Sequence, residues 1–413
     1  MKAQKSLWFL NHYAAKPDVP GGTRHFDLGR ELVKRGYDVT ILASSFHHME
    51  HRQAHLAKGE TWKVEEVEGM KFVWLRTFPY QGNDWRRAVN MLSYMTLSYL
   101  VGRRLPRLDE RLSPPDVVIG SSVHLLAVLA AYFLARYFRA HFVMEVRDLW
   151  PRTLIDMGVF SERHVLVRLL ASLEKFLYRR AERIIVLLPK AGDYIAGLGI
   201  DAGKVHWIPN GVDLAQFSVL KECVSTNDPF TVMYVGAHGR ANGLDVVLDA
   251  AGEVQRRGYE NVRFVLVGEG PEKPRLRAYS RELGLLNTEF REPVAKANIA
   301  MVLAESSALV LVLEDVAVFK YGISSNKLFD YLASGKPVLF ACCTSNNVVD
   351  EAQCGLSVPP EDAQALADAV IRLYEMTPGE RKAMGERGRQ YVEQYHDWAV
   401  LADRFQWCVE ELR

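Results

Sequence analysis

The chain has 413 residues, 49% of them hydrophobic and 24% charged, and no low-complexity tract, which excludes a single small core, a fibrous protein and a disordered one. Its formal charge of +1 hides an asymmetry, because Met1 to Asn210 holds 30 Lys+Arg against 21 Asp+Glu and the remainder holds 21 against 29, so the halves carry +9 and −8. The basic half points at an anionic partner, and the five cysteines, which follow no framework spacing, point to a reducing compartment rather than a disulfide scaffold.

Leu7 to Leu10 reads as a buried strand that runs into the loop Asn11 to Gly22. Thr23 then caps a helix through Arg35, Gly36 ends it, and Val39 to Leu42 is the next strand. Such a βαβ unit places ligands at the carboxyl ends of its strands, where Gly21 and Gly22 lie. The dinucleotide fingerprint G-x-G-x-x-G is absent, so the paired glycines signify close backbone approach or a tight turn. His47, His51 and His55, with His48 beside them, are spaced to align on a helix. With no acidic or cysteine partner they read better as a polar loop over a substrate site than as metal ligands.

Val64 to Val67 and Lys71 to Leu75 form a hairpin, and Trp85 to Leu108 is a long helical stretch. Its aromatic and apolar residues lie between Arg86-Arg87 and Arg103, Arg104 and Arg107, which suits core packing or a lipid interface. After the strand Val117 to Ile119, His124 stands where a strand end meets the start of the helix Leu125 to Arg136, a functional position in open α/β sheets. The strand Phe142 to Val146 runs into Glu145-Val146-Arg147-Asp148-Leu149-Trp150-Pro151, where crowded charges are better explained by a site than by folding. His164 to Arg180 is an amphipathic basic helix that packs on the sheet or touches anionic lipid. Arg183 to Leu188, a helix from Lys190 and Val205 to Ile208 complete this half, followed by the turn Pro209 to Asp213 and a polar linker, Lys221 to Pro229.

The second half restarts the alternation. Strands are predicted at Thr231 to Val235, Arg263 to Val267, near Phe290, at Ala308 to Leu313, Val338 to Ala341 and Leu356 to Val358, with helices at Leu244 to Arg257, Leu276 to Leu283, and from Ala363 and Glu380. The stretch Ser324 to Leu339 organises it. Ser324, Ser325 and Asn326 are N-cap types, Leu328, Phe329 and Leu332 give an apolar face, and Gly335 and Pro337 stop the helix. Its N-terminus favours an anion, and Asp330 one turn on suits ribose hydroxyls, so the stretch reads as a nucleotide site or as an ordinary capped helix. The last helix, Trp398 to Leu412, is placed to return to the first domain.

Taken in order, the Gly21-Gly22 loop, Glu145 to Pro151, Ile208 to Asp213, Val267-Gly268-Glu269-Gly270-Pro271 and Asp330 to Pro337 resemble the family 4 glycosyltransferases, retaining enzymes of the GT-B fold. The likeness is greatest to members that transfer N-acetylated sugars in bacterial O-antigen and capsule synthesis. It implies two doubly wound Rossmann-like domains facing a cleft, an acceptor domain at 1–208 and a donor domain at 209–395, with residues 396–413 returning to the first. It further implies that Asp330 contacts ribose, that Ser325, Asn326 and Lys327 meet the diphosphate with Gly236, Glu269 and Ile323 nearby, and that Phe290 to Val294 meets the base. Gly21 and Gly22 are expected to approach the phosphates, and His124 to stand beside the transferred sugar.

Three departures accompany the likeness. Gly322 occupies the place of the first Glu of the family's E-x7-E motif, and Ala237 and Asn242 fall where many members have the Arg and Lys that neutralise the diphosphate. Arg240 and Lys327 are the nearby cations expected to replace them. Retention without a fixed nucleophile fits front-face attack, with Asp148 or Glu145, beside Arg147, as the alternative nucleophile or base. The implied donor is a UDP-sugar, with no cofactor and no metal required because Arg and Lys can carry the charge. The acceptor is a polyprenyl-diphosphate-linked sugar at the inner face of an anionic membrane, and no nucleic-acid partner is expected. Leu7 to Leu10 is too short for a signal core and no apolar run reaches the roughly 18 residues that span a bilayer, so a cytoplasmic, peripheral protein is expected. The competing readings are a UDP-sugar 2-epimerase and a non-catalytic nucleotide-sugar binding protein. A nicotinamide dehydrogenase lacks its glycine fingerprint.

Overall fold

Short runs of branched and aromatic residues build two large sheets, beside a two-stranded one. The computed structural model describes residues 5–19, 22–47, 51–82, 84–222 and 229–412, and divides the chain into two units. The first runs to Pro209 and takes up the chain again at Leu401, while the second spans Asn210–Val400 together with a short segment from Pro17.

The first unit holds eight strands in the order Val205–Trp207, Arg183–Val186, His141–Val146, Val117–Ser121, Ser6–Leu10, Asp38–Ser44, Met70–Leu75 and Trp62–Val67. All neighbours are parallel except the hairpin that pairs the last two. Leu7 lies opposite both Val39 and Val117, and every residue of Ser6–Leu10 is buried. A parallel strand covered on both faces must be apolar throughout, which is why it reads as an unbroken run rather than an alternation. Helices Trp85–Gly102, Leu125–Phe138 and Val165–Arg180 pack side by side.

Two expectations change here. The helix foreseen over Trp85 to Leu108 ends at Gly102 and resumes as the single turn Leu105–Leu108, with Pro106 in its first turn, where a missing N–H is tolerated. The histidine spacing does not fall on a helix, because Phe46–His47 pairs antiparallel with Arg52–Gln53 and His51 turns between them at φ +52°. His48, Gly21 and residues 223–228 of the polar linker lie outside the described residues.

The second unit is an all-parallel sheet of six strands, ordered Thr288–Arg291, Val262–Val267, Phe230–Val235, Ala308–Val312, Val338–Ala341 and Gly355–Val358. One apolar layer joins it to helices Asp245–Arg256 and Ala363–Glu375. The other receives Leu328, Phe329 and Leu332 of Asn326–Ala333 and Val392 of Pro378–Tyr395. In both sheets the order reverses beside the unit's first strand, and open α/β sheets bind ligands at such a reversal.

Candidate active site

In the second unit the reversal lies between Phe230–Val235 and Ala308–Val312. Helix Asn326–Ala333 follows the second of these strands, and Tyr331 ties it to the first by donating to Val235 O at 3.1 Å and accepting from Val235 N at 2.8 Å. Ser325 heads the helix without a side-chain cap, and the neighbouring Ser324 Oγ accepts instead from the Asn210 amide at 2.8 Å. The first amides of the helix therefore remain available for an anion.

Lys327 crosses this corner. Its Nζ donates to Tyr234 Oη at 2.9 Å and to Asn242 Oδ1 at 2.5 Å, and it stands 4.8 Å from the Tyr234 ring centre. A Cβ on Gly236 would lie 2.4 Å from Lys327 Cδ, so glycine is what leaves room for the lysine stem. No carboxylate among the described residues pairs with Lys327, and burial pulls its pKa down to about 7. The ammonium thus rests at Asn242, a position where a family lysine was expected and is missing. Arg240, the other proposed replacement, is 81% exposed, with Glu314 as far off as 4.0 Å, the outer limit of an ion pair.

Asp330 is buried, with both oxygens 2.5 Å from Lys296 Nζ. Burial pushes its pKa up and the lysine opposes this. Gly322 adopts φ +102° and ψ 174°, a conformation in which a glutamate would be strained, which gives the missing first acid a backbone reason. Ile323 is pinned on both sides by Asn346, whose Oδ1 accepts from its N–H at 2.8 Å. Glu269 is committed to the Gly270 amide and to Lys273, Phe290 lies under Arg277 at 5.8 Å, and Val294 packs against the apolar layer behind the helix.

Sequence reasoning missed Lys296 and His238. Lys296 comes from a 3₁₀ turn with no motif around it. His238 is buried between the expected Gly236 and Arg240, and only its place in that glycine loop could have marked it.

In the first unit, His124 caps helix Leu125–Phe138 through Nδ1, which accepts from Ala127 N at 3.1 Å. Its proton therefore sits on Nε2, 2.8 Å from His12 Nδ1, and His12 in turn stacks on Tyr94 at 4.4 Å. Burial, with Arg87 nearby, pulls the His124 pKa down to about 3, so the ring stays neutral. This pair occupies the strand reversal of the first sheet. Gly22 is half-buried just before the first helix.

The alternative role for Glu145 as nucleophile or base does not survive. Its fully buried carboxylate takes Arg24 Nε at 2.7 Å, His25 Nε2 at 2.9 Å and Ser121 Oγ at 2.8 Å, and although burial opposes ionisation, Arg24 and His25 hold its pKa well below the usual range. Both Glu145 oxygens are engaged, and neither is accessible. Arg24 extends from it to the carbonyls of Ile208 and Pro209, so Glu145 is a fastening for the end of the first unit. Arg147 is half-buried with its amide on Ser122 Oγ at 3.0 Å, and Asp148 is exposed.

The family profile described as Glycosyl transferases group 1 matches residues 229–376, and the one described as Glycosyl transferase 4-like domain matches residues 21–211. The probable glycosyltransferase WbjE of Pseudomonas aeruginosa is 24% identical over 322 residues, which cover 74% of this chain and 77% of that protein. The putative colanic acid biosynthesis glycosyl transferase WcaI of Escherichia coli K12 is 20% identical over 272 residues, 63% of this chain and 64% of its own length. The Anabaena protein HepE, solved with UDP and glucose, superposes with a TM-score of 0.66 at 15% identity over 99% of this chain and all of that one (100%).

Proposed function

The chain belongs to the family 4 glycosyltransferases of the GT-B fold, and from that premise we propose that it is a retaining enzyme moving a sugar from a UDP-sugar to a lipid-linked saccharide in bacterial surface-polysaccharide synthesis. The observation that carries this reading is Lys327, a cation with no carboxylate partner among the described residues, aimed beside an uncapped helix start. A diphosphate is the group that would complete it.

In this reading the bond from the anomeric carbon to the diphosphate oxygen breaks, and its electron pair goes to that oxygen. The Lys327 ammonium and the first amides of Asn326–Ala333 stabilise the growing charge. The acceptor hydroxyl bonds to the anomeric carbon on the same face, and its proton passes to the departing diphosphate. His124, neutral and held by Ala127 and His12, orients groups rather than removing a proton. Asp330 with Lys296 takes the ribose side, and no metal is required because the lysine and helix amides carry the charge. The donor sugar in this reading is an N-acetylated aminosugar, and the acceptor a polyprenyl-diphosphate-linked sugar at the cytoplasmic face of an anionic membrane. No described helix is long and apolar enough to cross one.

Calorimetric titration with UDP, with GDP and NAD as controls, is the test. UDP is expected to bind selectively without added metal, Lys327→Met to weaken it by about 10- to 100-fold through loss of a charge-assisted contact, and Asp330→Ala to weaken it as well. Absence of UDP binding would remove the donor assignment. Turnover of UDP-N-acetylhexosamines faster than UDP-glucose would support the aminosugar, and product release without acceptor would favour the epimerase.

A further inference from the structure

His238 is buried in the glycine loop of the second unit. Its ring is fully enclosed, and neither Nδ1 nor Nε2 meets a hydrogen-bond partner among the described residues. The backbone, by contrast, is held on both sides, its N–H donating to Glu269 O at 2.9 Å and its carbonyl accepting from Glu272 N at 3.0 Å. Two unmet polar atoms in one buried ring are costly, and packing gives no reason to keep them, since an apolar side chain would carry no such cost.

The ring's neighbours are those of the donor corner. A Cβ on Gly268 would lie 3.4 Å from His238 Cδ2. The Tyr234 ring, which receives Lys327, is 5.9 Å away on one side, and the Phe290 ring is 6.2 Å away on the other. His238 therefore stands along the strand ends between the lysine expected to hold phosphate and the segment expected to hold the base. Burial, helped by Lys273, Lys327 and Arg277 and opposed by Glu269, keeps the imidazole neutral, with a pKa near 4. A neutral imidazole offers one N–H donor and one acceptor nitrogen. That combination matches hydroxyl, carbonyl and ring N–H groups, whereas a phosphate only accepts and is better served by an ammonium.

Resting on the reading of the second unit as the donor domain, we infer that His238 is a specificity residue that hydrogen-bonds the nucleoside of the donor. Because the ring has no accessible surface in the unliganded structure, the contact requires the loop that carries it, Gly236 to Arg240, to shift as the nucleotide enters; both ring nitrogens then gain partners, and a donor with a mismatched nucleoside leaves them unmet.

The test compares UDP with inorganic pyrophosphate on wild type, His238→Phe and Lys327→Met by calorimetry, with the melting temperature recorded for each. His238→Phe is expected to weaken UDP by about tenfold or more while pyrophosphate stays within about twofold, with melting unchanged or raised. Lys327→Met is expected to weaken both ligands. UDP affinity unchanged in His238→Phe with a raised melting temperature would make the histidine an uncompensated structural residue and overturn the inference, as would equal losses of UDP and pyrophosphate. Wild type that binds neither ligand would fail the donor-domain reading itself, and the inference with it. Should His238→Phe not fold, His238→Gln, which keeps a donor and an acceptor at altered positions, must lose UDP and keep pyrophosphate, or the inference falls.

Discussion

Lys327 titrates where a diphosphate-binding cation would be most sensitive to pH. Burial brings its pKa to about 7, and a bound diphosphate would restore it. Below pH 7 the free and bound forms both carry the proton. As pH rises above 7 the free protein loses it, binding must take one up, and UDP affinity should fall by up to about tenfold per pH unit. Lys327→Met should abolish that slope, and Arg240→Ala, at an exposed side chain with a distant partner, should change affinity by no more than about twofold. Equal losses in the two variants would put the charge work on both cations. In the unliganded protein the sign is reversed, since the unfolded chain keeps this proton to its ordinary value. The stability cost of Lys327 is full below pH 7 and relieved as pH rises. Glu145 behaves differently because its charge is matched. Glu145→Ala would strand the buried Arg24 and should cost on the order of 3–5 kcal/mol of stability, read by denaturant unfolding.

Three adjacent helices of the first unit present apolar side chains to solvent between basic ones. Trp85 (67% exposed), Phe133 (45%) and Leu169 (63%) come one from each helix. Arg103 lies over Tyr99 at 5.6 Å and Arg180 over Phe176 at 5.4 Å, so the cations sit on the aromatic rim of the same surface. This arrangement suits the headgroup boundary of an anionic bilayer, where each basic residue near the surface contributes about 1 kcal/mol. The protein should pellet with anionic liposomes at low salt and be released as salt rises. Phe133→Glu combined with Leu169→Glu should abolish pelleting and leave UDP affinity unchanged. Pelleting that ignores salt, or survives the double substitution, would exclude this surface as the membrane contact.

The chain leaves the first unit after Pro209 and returns at Leu401, so thirteen C-terminal positions (401–413) complete a unit begun at the other end of the sequence. Phe405 packs on Phe9 at 5.6 Å, and Tyr37 donates to Glu410 at 3.0 Å. Phe405→Ala, which empties a fully buried ring site, should cost about 3–5 kcal/mol. In a calorimetric scan the loss should appear in the transition of the first unit, while the transition that UDP stabilises keeps its temperature. A uniform drop of a single transition would instead show that the two units unfold together.

The β/α alternation of both halves was legible because parallel strands buried on both faces must be apolar runs, as at Leu7–Leu10 and Val338–Ala341, and because Gly335 and Pro337 end a helix by local chemistry. The break after Gly102 was less so, since apolar and aromatic residues run through it and only Pro106 marks the interruption. The departures at Gly322, Ala237 and Asn242 were also visible in the sequence, as residue types out of place in a known pattern. What the sequence left open was which charged and polar groups are spent on one another. Lys296 reaches Asp330 across 34 positions, Lys327 reaches Asn242 across 85, His12 meets His124 across 112 and Arg24 meets Glu145 across 121. Local sequence carries no trace of such pairings. They arise only when the sheet brings strand ends and helix starts together, and that packing made Glu145 a fastening and, among the described residues, left Lys327 without a counter-charge and enclosed His238 with both nitrogens unmet.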